Sequence, residues 1–184
     1  MLDVVHASGE LLKKDVVCAH ATVSLRRSRS ALESKLSNLK NESFGRKTSD
    51  PYCAGGGRAV ELSGPFACIR DIEIADGGRR ASIDVSAGRN WQTTTPALIL
   101  DAAWRIAVVD VNGPEHLFVP GKIGKLILPL QAHREPVREG ATWEVLSSRP
   151  TLSGDGVSWN RTEVVDQQGV VRLVVEDSLA KTMA

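Results

Sequence analysis

The chain has 184 residues, enough for one domain, or one and a fraction, with a buried core. Its 23 basic and 22 acidic side chains nearly cancel, so net charge points to neither nucleic acid nor an anionic membrane as a partner. No apolar run approaches the roughly 20 residues that cross a bilayer. The longest, from Pro96 to Val111, is interrupted by Asp101, Arg105 and Asp110.

A strand-like pattern follows Met1 and Asp3 directly, so no signal peptide is expected. Cys18, Cys53 and Cys68 form neither a CxxC pair nor a cluster with histidines. That speaks against a disulfide framework and a structural zinc site, and for buried or idle thiols in a reducing cytoplasm. No metal or cofactor is expected. Local basic groups, Arg26, Arg27 and Arg29, then Arg79 and Arg80, read as solvated turns and strand ends.

In chain order, 2–12 and 15–26 read as two strands joined by a polar turn, Lys13-Lys14-Asp15. From residue 28 the pattern changes. Leu32, Leu36 and Leu39 recur at i, i+4 and i+7, which predicts one face of a helix, capped by Ser28 or Ser30. Residues 40–57 are polar and end in Gly55-Gly56-Gly57, a linker signal. Strand patterns return at 59–61, 67–74 and 80–86, the last two split by Asp76-Gly77-Gly78.

The clearest helix begins at Pro96, with Thr94 or Thr95 as cap. Leu98, Leu100, Ala102, Ala103, Ile106, Ala107 and Val109 give it a wide apolar surface that a sheet should wrap. Four further strands are predicted at 116–130, 141–149, 157–165 and 169–177, with Gly169 marking a hairpin. The expected organisation is a hairpin over 1–27, a helix and linker over 28–57, and the main domain over 58–184. A helix against an antiparallel sheet is an α+β arrangement, of which the hotdog fold is one member.

Several chemistries lack their residues. There is no Gly-x-Ser-x-Gly elbow, dinucleotide fingerprint or P-loop; no Lys-Ser/Thr follows Gly55-Gly56-Gly57. His6, His20, His116 and His133 have no spacing that marks a catalytic base. Trp91, Trp104, Trp143 and Trp159 read as packing residues.

An ordered set of segments resembles the second hotdog half of polyketide-synthase dehydratase domains. Thr95-Pro96-Ala97-Leu98-Ile99-Leu100-Asp101-Ala102-Ala103 is similar to the family's His-Pro-Ala-Leu-Leu-Asp-Ala-Ala, which opens the central helix. Leu117-Phe118-Val119-Pro120-Gly121-Lys122-Ile123-Gly124-Lys125-Leu126 resembles the strand after it. Ser63-Gly64-Pro65-Phe66 is similar to a shortened Gly-Pro-x-Phe turn, and 166–171 to the closing hairpin. The resemblance spans about residues 50–180; the first 26 residues look like the end of a first hotdog.

The resemblance implies an α+β hotdog with a long helix wrapped by a curved antiparallel sheet. It implies dehydration, or related cyclisation or isomerisation, of β-hydroxyacyl thioesters on an acyl carrier protein. The enzyme class would be a 3-hydroxyacyl carrier-protein dehydratase-like lyase working as a homodimer or with a partner hotdog subunit. Asp101 matches the family's catalytic aspartate. Pro65, Phe66, Pro96, Arg105 and Pro120 match positions along the substrate channel. No histidine fits the family's His-x-x-x-Gly-x-x-x-x-Pro motif, Arg105 stands where Gln or His is usual, and Thr95 replaces a histidine. Leu62 and Ser63 replace tyrosines.

Dehydration removes a weakly acidic Cα proton and expels a β-hydroxyl, so it needs a placed base and a donor to the leaving group. Desolvation on an apolar helix would favour a neutral Asp101, able to donate. Arg105, four residues on, could instead pair with it and keep it charged. The pairing reading leaves a non-catalytic hotdog, binding acyl chains or holding subunits together, as the alternative.

Overall fold

The computed structural model describes residues 5–13, 16–25, 32–48, 62, 66–86, 95–109, 111, 118–129, 137, 140–154 and 156–182. They divide into two compact units, 1–31 and 32–184. In the first, β1 (Val5–Lys13) and β2 (Val16–Leu25) form an antiparallel hairpin, with Val5 opposite Leu25 and Lys13 opposite Val16. This is the hairpin that the alternating β-branched pattern predicts. Its turn lies outside the described residues.

The second unit contains a 3-10 turn, η1 (Ser37–Asn41), then β3 (Arg46–Thr48), β4 (Ile69–Ile74) and β5 (Gly78–Asp84). The helix α1 (Thr95–Val108) follows. Next come β6 (Phe118–Lys122), β7 (Lys125–Ile127), β8 (Thr142–Ser148), β9 (Thr151–Ser153), β10 (Gly156–Val165) and β11 (Val171–Thr182). These nine strands make one antiparallel sheet in the order β3-β4-β5-β8-β10-β11-β6. β7 also pairs with β11, and β9 with β10. The predicted strand 116–130 is thus two strands, interrupted at Ile123-Gly124. The segment 59–61 lies outside the described residues.

α1 crosses β5, β8, β10 and β11. Leu98, Ile99, Ala102, Ala103, Ile106 and Val109 pack into one core with Ile83, Val145, Val164, Leu173 and Val175. Trp104, Ala107 and Val108 join a second cluster with Phe118, Val157, Trp159 and Ala180. Fully burying one such aliphatic side chain contributes roughly 1.5–3 kcal/mol, so this helix is held by the sheet more than by its own propensity. Among the described residues, no helix is long and apolar enough to cross a membrane.

The other face of the sheet is covered by 32–41, and here the sequence expectation fails. Leucine spacing predicts a helix, but residues 32–36 are not helical and only Ser37–Asn41 form a 3-10 turn. Residues 28–31 lie outside the described set. The cause is a competing acceptor. The Glu163 carboxylate, fully buried on β10, accepts hydrogen bonds from the backbone N–H of Lys35 at 2.9 Å and of Leu36 at 3.4 Å. It also accepts one from the Ser34 hydroxyl at 2.5 Å. The leucines still do the packing: Leu39 is buried, and Leu32 and Leu36 lie against Leu146, Val171 and Val174.

Glu163 takes a further bond from Arg161 Nε at 2.5 Å. Arg161 also pairs with Glu176, and Lys125 reaches Glu176 at 3.1 Å. The β10–β11 hairpin closes as the sequence predicts, with Gly169 at φ +82. Asp166 Oδ1 accepts from the backbone N–H of Gln168 and Val170, and its other oxygen pairs with Arg172. Gly78 is required by close packing of β5 on β8: a Cβ there would sit 2.2 Å from the Ser147 carbonyl oxygen.

Candidate active site on the central helix

α1 is buried along most of its length, but its first half has one open line. Ala97 is exposed, and Leu100 and Asp101 are partly so. These positions are three and four apart and share a face. One turn further on, Trp104 and Arg105 are buried. Asp101 is thus the only acidic side chain among the described residues of the helix, and it sits where the burial begins.

Its carboxylate does not stand alone. Arg105 Nε donates to Asp101 Oδ2 at 2.9 Å, and Arg105 Nη2 lies 2.8 Å from the same oxygen. The Arg105 side chain is 2% exposed and that of Asp101 34%. Arg105 Nη2 also donates to the Phe66 carbonyl oxygen at 2.6 Å. The guanidinium therefore fixes the carboxylate from the buried side and ties α1 to Phe66, three residues before β4. A carboxylate held by two charge-assisted donors is an acceptor with a set orientation.

Of the predicted site residues, the structure brings together Asp101, Arg105 and the backbone of Phe66. Pro96 lies in the first turn of α1. Pro65 falls outside the described residues. Pro120 is exposed on β6, opposite Ala180. His116 and His133 are likewise outside the described residues, and His6 and His20 belong to the hairpin unit. Among the described residues, no three His, Cys, Asp or Glu side chains converge to hold a metal ion.

Sequence reasoning missed two features. Glu163 is a fully buried charge in the middle strand. The signal was present: Arg161 and Glu163 are two apart in a strand and share a face. The second is a pair of indoles, Trp104 and Trp159, with ring centroids 6.5 Å apart and edge-to-face. Among the described residues, neither buried N–H group meets an acceptor.

Two carboxylates near the sheet edges titrate low. A hydrogen bond from Arg80 is the main reason that Glu73 sits below the usual range. Glu176 is opposed by burial, yet Lys125, Arg161 and Lys35 together hold it below that range.

The sequence matches no protein-family model and no curated protein. Solved structures are similar in fold. The dehydratase domain from the CurF module of curacin polyketide synthase superposes with a TM-score of 0.66 at 14% identity, over 91% of this chain and 59% of that one. A trans-AT polyketide-synthase dehydratase domain from Brevibacillus brevis gives 0.66 at 12% identity, over 94% and 62%. The dehydratase domain of PpsC from Mycobacterium tuberculosis, in complex with C12:1-CoA, gives 0.60 at 16% identity, over 89% and 58%. The chain spans about three fifths of the length of these three domains. With one helix against a nine-stranded antiparallel sheet among the described residues, the chain has the hotdog fold of polyketide-synthase dehydratase domains.

Proposed function

We propose that the chain is a dehydratase-type hotdog module that takes β-hydroxyacyl thioesters from an acyl carrier protein. The observation that carries this reading is Asp101, an acidic side chain at the start of the buried stretch of α1, oriented by buried Arg105. Asp101 accepts a hydrogen bond from the substrate β-hydroxyl and so fixes the Cβ–O bond. A base then removes the Cα proton and, as the C=C bond forms and the Cβ–O bond breaks, returns that proton to the departing oxygen, which leaves as water. The base comes from a second hotdog, either another copy or a partner subunit, and the positions of Pro65, Phe66, Pro96 and Pro120 are the ones expected to meet the acyl chain. The same placement serves cyclisation or a double-bond shift.

The edge of the sheet supports a partner. Val119, Ile123 and Leu126 are exposed along β6 and β7, and an open apolar edge favours pairing. A strictly monomeric species in light scattering at micromolar concentration would count against it.

The Asp101–Arg105 pair also favours a second reading, a non-catalytic hotdog that binds acyl chains or holds subunits together. Turnover of a β-hydroxyacyl thioester surrogate, with candidate partner subunits added, separates the two. The dehydratase reading expects wild type to form the enoyl product and Asp101→Asn to lose it. Absence of product in wild type under every pairing favours the second reading.

A further inference from the structure

Asp76-Gly77-Gly78, which the sequence marks as a break between strands, holds the loop of the β4–β5 hairpin. The Ala75 N–H donates to the Gly78 carbonyl oxygen at 2.9 Å, and the Gly78 N–H to that of Ala75 at 3.3 Å. Asp76 and Gly77 alone therefore form the loop, and both are exposed. The chain is packed as soon as it leaves them. Gly78 has no room for a side chain. Arg79, expected at a solvated strand end, is 7% exposed and donates from Nε to the Val109 carbonyl oxygen at 3.0 Å.

The loop is tied on both sides of Gly77. Its backbone N–H donates to Glu42 Oε1 at 3.1 Å, and its carbonyl oxygen accepts from the Arg149 N–H at 3.2 Å. Glu42 caps the carboxyl end of η1, so the first bond joins the end of the strap 32–41 to the hairpin loop. Among the described residues, nothing holds the Asp76 carboxyl in a hydrogen bond or ion pair.

We propose that Asp76 is a modification site, where isoaspartate forms spontaneously, and that Glu42 restrains the reaction. Glycine after the aspartate leaves the backbone nitrogen unshielded, and a five-membered ring brings it to the side-chain carboxyl without a second molecule. The Gly77 nitrogen attacks Cγ of the neutral Asp76 acid. The N–Cγ bond forms, the Cγ–OH bond breaks, and the hydroxyl leaves as water with the amide proton. Water then adds at the Asp76 main-chain carbonyl carbon. The bond from that carbon to the Gly77 nitrogen breaks, and a carboxyl group is left there. The backbone now runs through Cβ and Cγ and is longer by one methylene.

The attack requires the nitrogen to give up its proton and turn towards Cγ. Glu42 holds that N–H, and the Ala75–Gly78 pair and Arg149 hold the peptide plane. A two-residue loop has no slack for an added methylene, so the product loses the Gly77–Glu42 bond and frees the end of the strap. Asp71 is the internal contrast. Ile72 follows it, 1% exposed, and its branched side chain shields the nitrogen. None of the residues assigned to the thioester reaction takes part, so the proposal stands or falls separately from that reading.

The test is incubation of the full chain in neutral buffer at physiological temperature. Isoaspartate is read by mass spectrometry of the tryptic peptide 71–79 and by methyl labelling with an isoaspartyl methyltransferase. It should accumulate at 76 and not at 71, more slowly than in the free synthetic peptide 71–79. Glu42→Ala should raise the rate roughly fivefold, as expected for loss of one hydrogen bond. Glu42→Gln, whose amide oxygen still accepts, should stay near wild type, and Asp76→Glu should abolish the signal. Three results overturn the inference: a wild-type rate equal to that of the free peptide, no isoaspartate at 76 in Glu42→Ala, or a Glu42→Ala rate at or below that of wild type.

Discussion

The two faces of the nine-stranded sheet are covered by opposite means. On one, α1 lays down aliphatic and aromatic side chains, and its charges are confined to Asp101 and Arg105. On the other, the strap 32–41 is fixed by leucines around a buried charge network of Arg161, Glu163 and Glu176. The helix satisfies its own backbone and needs only apolar contact. The strap has no such ladder over 32–36, so the sheet must offer it acceptors, and Glu163 does so.

Truncation should separate the faces most strongly. Ile106→Ala, beneath α1, is expected to cost about 4 kcal/mol in chemical denaturation, from lost burial and the cavity left behind. On the strap face, Glu163→Ala should cost about 3 kcal/mol, because it leaves a buried guanidinium and backbone donors short of a partner. It should also raise hydrogen exchange at Lys35 and Leu36 while α1 stays protected. Equal loss of protection in α1 would mean that the two coverings are not independent.

Acid should act on charged pairs rather than on the apolar helix face. Glu73 and Glu176 are both held below the ordinary glutamate value of about 4.5. A depressed carboxyl contributes stability above its unfolded value, and that contribution is lost as pH falls through the folded one. Stability should therefore drop below about pH 4.5, and Glu73→Gln should flatten the slope there. An unchanged slope in that variant would show that Glu73 contributes nothing to it.

What the sequence conveys follows the same division. Alternation and apolar runs foretell the hairpin, β4, β5, β8, β10, β11 and the start of α1, because burial of one face or stripe is written locally. The short strands β3 and β9, three residues each, carry too little pattern to be read. The strap is the instructive miss. Its leucine spacing identifies the side chains that pack on the sheet, yet its backbone answers to Glu163, 128 residues from Lys35. Likewise, Asp101 was legible through its motif and Arg105 as a pair four residues on, but the tie from Arg105 to Phe66 spans 39 residues and depends on the folded sheet.

The central claim is that the Asp101 carboxylate, set by Arg105, meets a substrate hydroxyl. Its most direct test compares the affinity of a β-hydroxyacyl thioester surrogate with that of the acyl analogue lacking the hydroxyl, in wild type and Asp101→Asn. Wild type should prefer the hydroxyacyl ligand by about tenfold, as expected for a hydrogen bond to a charged acceptor, and Asp101→Asn should lose most of that preference. Equal preference in both proteins would contradict it.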